Sequence, residues 1–150
     1  MDNNTNIDLK SLNAFLRKNK SVDFRKANLR HKPTIEACNW RGLEAQKAGL
    51  LDQIRAYRRV LRVLPDDNAD SDMADTAKAL LKRGIDSALR IAEIPKKVFV
   101  RDYLDIFGGD AAFAERVHRR AIAHRKGVTL RYLNLLQRLE PHTRAAGLNR

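Results

Sequence analysis

A stripe of large apolar side chains constrains the fold of this chain more than any other sequence feature. Its members follow one another at steps of four, three, four and three residues: Leu50, Ile54, Tyr57, Leu61 and Leu64. Because an α-helix completes one turn every 3.6 residues, this spacing puts all five on one side of a helix. The pattern predicts a long amphipathic helix over about residues 43–64, which ends at Pro65.

Helical spacing also marks the segments on either side. Apolar residues at positions 9, 12, 15 and 16 predict a first helix over about residues 8–19. Residues 21–33 are basic and irregular and predict a loop or an extended arm, since Pro33 disfavours a helix at Lys32. Glycines at 84, 108, 109 and 127 follow apolar-periodic segments, as residues at helix ends do. Five short helices are therefore expected in the second half, over about residues 72–83, 86–93, 95–107, 110–125 and 129–139.

The sequence as a whole predicts an all-α fold, a compact bundle of short helices. Residues 65–72, Pro-Asp-Asp-Asn-Ala-Asp-Ser-Asp, contain no apolar side chain larger than alanine and predict an acidic linker. We expect a basic helical segment over 1–64, this linker over 65–72 and a second helical subdomain over 73–150. Oxygen ligands alternate in the linker as in a calcium loop, but the glycine and glutamate of that loop are absent, so no metal site is expected.

The charge of the chain favours anionic partners. Thirty Lys and Arg residues against eighteen Asp and Glu residues give a net charge of +12 over 150 residues. The excess is divided into +8 over residues 1–64, −5 over 65–75 and +9 over 76–150. Acidic protein surfaces, nucleic acids and lipid headgroups all fit such a distribution, and salt would weaken binding to any of them.

Catalytic signatures are missing from the sequence. It contains no phosphate-binding glycine loop, no His-Glu-x-x-His and no Gly-x-Ser-x-Gly, so we expect neither an enzyme nor a cofactor. The single cysteine, Cys38, is expected to be a small buried hydrophobe, with a nucleophile as the less favoured interpretation. His118 and His124 lie on opposite sides of one predicted helix and cannot share a metal through it.

The chain also contains no apolar run long enough to span a membrane, and its polar start does not resemble a cleaved signal peptide.

Two sets of basic residues are candidates for binding. The first lies opposite the apolar stripe of the long helix and would dock on a protein: Arg55, Arg58, Arg59 and Arg62. The second would bind nucleic acid phosphates in the alternative interpretation: Lys96, Lys97, Arg119, Arg120, Arg125 and Lys126. Residues 80–99 and 108–117 favour that alternative because they resemble helix-hairpin-helix repeats. However, Asp86 places a carboxylate where a phosphate would approach, which favours a packing unit of the same geometry instead.

Four stretches in order along the chain resemble one protein family. They are Val22-Asp23-Phe24-Arg25 with Asn28-Leu29, the helix end from Ile54 to Pro65, the segment from Leu81 to Phe99, and the segment from Ala114 to Leu136 with Tyr132-Leu133. Together they resemble the N-terminal helical region of the A component of bacterial insecticidal Tc toxins, also called virulence-plasmid A or neuraminidase-like-domain proteins. The resemblance covers roughly residues 10–145.

The resemblance implies a helical interaction or structural module of a large toxin-like assembly. Its partner would be the rest of that particle or another acidic protein surface, and pentamer formation would belong to the longer family context. Such a protein is secreted without a cleaved signal peptide, whereas a free-standing basic module would be cytoplasmic. The family supplies no catalytic residue at these positions.

Overall fold

The computed structural model describes residues 7–66 and 70–139, without the side chains of residues 70–72. These residues form one short 3-10 helix, Glu44–Gln46, and seven α-helices. The α-helices are α1 Lys10–Lys18, α2 Lys32–Glu36, α3 Lys47–Val63, α4 Asp70–Lys82, α5 Ala88–Glu93, α6 Lys96–Tyr103 and α7 Ala111–Leu139. No strand occurs in the described residues. The predicted all-α bundle of short helices is confirmed.

Helix α3 lies at the centre of the bundle and contacts α1, α4, α5 and α7. All five residues of the predicted stripe are buried: Leu50, Ile54, Tyr57, Leu61 and Leu64. The helix ends where predicted, because Leu64 before Pro65 takes an extended conformation with ψ of 142°. Burying this wide apolar side of α3 removes water from most of its circumference and organises the neighbouring helices around it.

The first part of the core is built around Phe15 of α1. Its ring centroid lies 4.7 Å from that of Trp40 and 5.7 Å from that of Phe24. The non-helical chain beside these rings is held by Asn19, whose buried Nδ2 donates to the carbonyl oxygen of Phe15 at 2.9 Å. The Asn19 Oδ1 also accepts a hydrogen bond from the Asn39 backbone nitrogen at 2.7 Å. One satisfied polar side chain thus joins two loop segments to the apolar core.

The second part of the core surrounds Phe99 of α6, which is fully buried. Ring centroids of Tyr103, Phe107 and His118 lie 5.2, 5.8 and 5.6 Å from that of Phe99. Both α5 and α6 pack against the first half of α7, which buries Ala114, Val117, His118 and Ala121. The buried residues of both parts form one continuous cluster.

A short helix replaces part of the predicted irregular loop. Helix α2 begins at Lys32, where Pro33 was expected to disfavour a helix. Pro33 instead stands in the first turn, where its missing N–H costs no hydrogen bond. The prediction for residue 32 was therefore wrong because it considered the steric effect of proline and not its place at a helix start.

The largest correction concerns Gly127. Two helices, 110–125 and 129–139, were predicted, but α7 runs without a break from Ala111 to Leu139. Gly127 is not among the glycines with positive φ, which are Gly42, Gly84, Gly108 and Gly109, so it does not form a helix end. It is an interior helical glycine, which lowers the stability of a helix by about 0.5–1 kcal/mol relative to alanine. We call residues 128–139 the α7 extension.

The predicted acidic linker is only partly described. Helix α4 begins at Asp70, and residues 67–69 lie outside the described residues, as do the side chains of 70–72 on which the calcium comparison depends. The division at this segment stays a prediction, although α3 before it and α4 after it are in contact.

A pair of glycine substitutions tests the continuous helix. Gly127→Ala adds a Cβ whose nearest neighbour is the Arg131 side chain at 3.9 Å, so it should stabilise the α7 extension by about 0.5–1 kcal/mol. Backbone Cα chemical shifts of residues 128–139 measure the gain in helix. The matched control is Gly109→Ala, which forces alanine into φ of +79° and should destabilise the protein. A loss of helical shifts in Gly127→Ala would show that the helix ends at this glycine.

Candidate functional site

The four arginines predicted to dock on a protein share one side of α3. Because about 100° separates successive residues of a helix, Arg55, Arg58, Arg59 and Arg62 fall within about 100° of its circumference. From Ile54 to Val63, all the other residues of the helix are apolar or aromatic and buried. The fold therefore gathers these cations into one narrow strip, which we call the α3 basic strip.

Two of the four arginines have partners within the chain. An Arg55 Nη1 lies 3.8 Å from the carboxylate of Asp52 one turn earlier. The Arg59 Nε donates a hydrogen bond to the backbone carbonyl of Asp86 at 3.2 Å, which joins α3 to the turn before α5. These contacts use part of the hydrogen-bonding capacity of both side chains for the fold itself.

Arg58 has a different environment. Its side chain is half-buried, and its Nε is a buried nitrogen without a hydrogen-bond partner. Burial lowers the pKa of the Arg58 guanidinium, and the positive charges of Arg62 and Arg30 lower it further. The charges that act on Arg58 are thus both cations, and the guanidinium stays charged at neutral pH.

Sequence reasoning missed Arg30, whose positive charge also acts on Arg58. It lies in a turn outside every helix, where its backbone nitrogen donates to the Asn28 Oδ1 at 3.1 Å. Helical periodicity cannot bring a turn residue next to α3, so the sequence contains no signal for this neighbour. We call Arg30, Arg58 and Arg62 the arginine cluster.

The six residues of the nucleic acid alternative do not form one surface. Lys96 and Lys97 are exposed in the first turn of α6. Arg119 and Lys126 are exposed and, being seven residues apart, lie on one side of α7. The other two residues, Arg120 and Arg125, lie on different sides of that helix.

Arg120 and Arg125 have structural surroundings. The Arg120 Nε donates to the backbone carbonyl of Val63 at 2.7 Å and joins α7 to the end of α3. Arg125 follows Ala121 by one turn on the side that faces the core, and it is half-buried. Arg120 is exposed like Arg119, but its Nε is already used in the hydrogen bond to Val63.

The candidate nucleophile Cys38 is half-buried and packs against the core. Burial raises the pKa of the Cys38 thiol, which favours the protonated form, and its Sγ is 3.4 Å from the Thr34 carbonyl oxygen. His118 is buried with its Nε2 2.7 Å from the Ile94 carbonyl oxygen. Within residues 7–66 and 70–139, no group of three or more His, Cys, Asp and Glu side chains could hold a metal ion.

An open groove of about 1000 Å³ runs between α1, residues 19–25, α3 and α4. Burial and, to a lesser degree, Asp75 raise the pKa of Tyr57 in its wall to about 12, while Arg25 opposes the rise. Acidic and basic residues mix along its rim, including Asp23, Asp66 and Lys78. A mixed rim of this kind favours no particular charged ligand.

Comparisons with known proteins add no function. No protein-family model matches the chain, and neither a curated protein nor a solved structure shows significant similarity to it. None of the described helices combines the length and the apolar character needed to cross a membrane.

A pair of substitutions separates the structural arginine from its exposed neighbour. Arg120→Ala removes the hydrogen bond to Val63 and should lower the free energy of unfolding by about 1–2 kcal/mol. Arg119→Ala, one residue earlier on an exposed side, should change it by less than about 0.5 kcal/mol. Urea denaturation monitored by circular dichroism measures both. Equal effects of the two substitutions would contradict the assigned role of Arg120.

Proposed function

We propose that this chain is a non-catalytic helical docking module that binds an acidic protein surface through the α3 basic strip. The observation that supports this most strongly is the gathering of four arginines on one side of α3, where the half-buried Arg58 has a buried Nε without a hydrogen-bond partner. The positive charges of Arg62 and Arg30 also act on Arg58. Uncompensated like charges repel one another, so the cluster costs free energy in the isolated chain. A partner that brings carboxylates to the cluster removes this repulsion on binding.

Guanidinium chemistry also favours carboxylates as ligands. Each guanidinium offers donors in a planar fork that matches the two oxygens of an Asp or Glu side chain. The unpaired Nε of Arg58 is one such donor. If its side chain rotates outward upon binding, a carboxylate can accept from this nitrogen as well as from a terminal one, and the buried unpaired donor is removed.

The family resemblance extends the proposal to a biological setting. In that setting the chain is part of a Tc-toxin-like secreted assembly, and the acidic surface belongs to the rest of the particle. Support for this part comes only from the four ordered sequence stretches between residues 22 and 136. Binding to nucleic acid is the competing function, and it depends on Lys96, Lys97, Arg119 and Lys126 rather than on α3.

Charge reversal at two matched pairs tests the proposal. Arg30→Glu with Arg62→Glu replaces attraction to an unstructured poly-L-glutamate peptide by repulsion and should weaken its binding at least about tenfold. A tenfold loss of affinity corresponds to only about 1.4 kcal/mol of binding free energy. Arg119→Glu with Lys126→Glu changes the net charge equally and should change that affinity less than about twofold. Fluorescence anisotropy at two salt concentrations measures both affinities, and the affinity of the unmodified chain should fall with salt.

A short DNA duplex is the second probe in the same assay. The proposal predicts that the unmodified chain prefers the peptide of equal charge to the duplex. Stronger binding to duplex DNA that is lost only in the Arg119→Glu, Lys126→Glu variant would overturn it in favour of nucleic acid binding. Equal losses of peptide affinity in the two variants would show that net charge alone, and not the arginine cluster, attracts the peptide.

A further inference from the structure

The α7 extension leaves an uncommon amount of apolar surface in water. Seven large apolar side chains within its twelve residues are between 38% and 68% exposed. They are Val128, Leu130, Tyr132, Leu133, Leu135, Leu136 and Leu139. Five of them share one side of the helix within about 100° of its circumference, namely Val128, Tyr132, Leu135, Leu136 and Leu139, whereas Leu130 lies on the opposite side. These five expose on the order of a few hundred Å² together, which is comparable to the largest apolar patch of a typical monomeric protein. Contiguous patches of this size mark interaction sites more often than scattered surface residues do.

This apolar face continues the face by which α7 packs against the rest of the protein. Val128 follows Ala121 by two turns, and Tyr132, Leu135 and Leu139 follow at steps of four, three and four residues. Ala121 and the earlier buried residues of α7 are covered by α5 and α6. Every residue from Val128 to Leu139 is exposed, so the packing stripe extends about 18 Å past the helices that cover its beginning.

We propose that the α7 extension docks an amphipathic α-helix of a partner protein, with acidic residues beside its apolar stripe. The partner helix lies on the apolar stripe of α7 and extends the layer that α5 and α6 begin. Recognition of a helix through residues spaced by three and four is a common mode of protein binding. This docking surface is separate from the arginine cluster of α3.

The charge of α7 determines the sign of the partner. No Asp or Glu occurs from Arg116 to Leu139, whereas seven Lys and Arg residues do. Arg131 and Arg138 are both exposed and, being seven residues apart, flank the apolar stripe on the same side. Charges that flank a helical interface select partners, so acidic residues on the partner are attracted and basic ones are repelled.

The same arrangement disfavours two other occupants. In an antiparallel pair of two α7 extensions, Arg131 and Arg138 of one copy would lie opposite Arg131 and Arg138 of the other. Like charges across an interface oppose association. A flat lipid surface is disfavoured for a steric reason. Because α5 and α6 pack on the same side of α7, they project beyond the stripe and keep a plane from lying along its full length.

Two synthetic helical peptides with identical leucine spacing test the proposal. One carries Glu and the other Lys at the positions beside the leucines, and fluorescence anisotropy with the full chain measures their affinities. The acidic peptide should bind at least tenfold more tightly. Arg131→Glu with Arg138→Glu should reverse this preference. Equal affinities of the two peptides, or a preference that the reversal does not change, would overturn the proposal.

A second pair of variants locates the binding face. Leu135→Gln with Leu139→Gln should weaken binding of the acidic peptide at least tenfold. Asn134→Ala with Gln137→Ala, on the opposite side of the same helix, should leave it within twofold. All four residues are exposed, so thermal unfolding of the core should be unchanged in both variants. Loss of binding in the Asn134 and Gln137 variant alone would contradict the assigned face.

Controls separate this proposal from the α3 basic strip and from the other occupants. Arg30→Glu with Arg62→Glu should leave binding of the helical peptide within twofold. If that variant alone abolishes binding, this inference fails while the α3 proposal stands.

Sedimentation equilibrium that shows a dimer dissociated by Leu135→Gln with Leu139→Gln would identify a second copy as the occupant. Cosedimentation with phosphatidylserine vesicles, lost in the same variant, would identify a lipid surface, and either outcome overturns the proposal.

Discussion

The structure depends on burying helix α3 on most of its circumference. Its apolar stripe contacts α1, α4, α5 and α7, and residues from Leu50 to Leu64 lie in the shared core. Because only one narrow side remains for polar residues, four arginines are confined to it, and the turn that contains Arg30 adds a further cation near Arg58. The free energy gained by burying the apolar side of α3 thus exceeds the free energy lost to repulsion among its arginines. The cationic surface follows from how the core is packed.

Helix α7 presents the opposite situation. Its first half is fixed by α5, α6 and the end of α3, where the Arg120 Nε meets the Val63 carbonyl oxygen. Its second half repeats the same apolar side with nothing to cover it among the described residues. Residues 128–139 alone would form only a marginally stable helix in water, so the packed half of α7 supports the exposed half. One helix therefore links the core of the protein to a surface that is available for binding.

Periodicity predicted the elements that have one clear apolar side. It identified α3 and all five residues of its buried stripe, because apolar residues spaced by three and four positions fall on one side of an α-helix. It failed where local rules compete. Gly127 was predicted to end a helix that in fact continues through it, and Pro33 was expected to oppose a helix whose first turn contains it. Periodicity identifies an apolar side but not whether anything covers it, so Leu133 and Leu136, predicted as helix residues of the bundle, are exposed. Arg30 could not be predicted, since its proximity to α3 depends on tertiary packing.

The central claim is that the packing stripe of α7 continues beyond the core with no covering element among residues 7–66 and 70–139. Amide hydrogen exchange of the monomeric 150-residue chain, read by mass spectrometry along α7, tests this claim most directly. The account predicts strong protection over residues 111–122 and protection at least about a hundredfold weaker over residues 128–139, because only the first segment is held by tertiary contacts. Equal, strong protection along the whole helix in a chain that sediments as a monomer would contradict it.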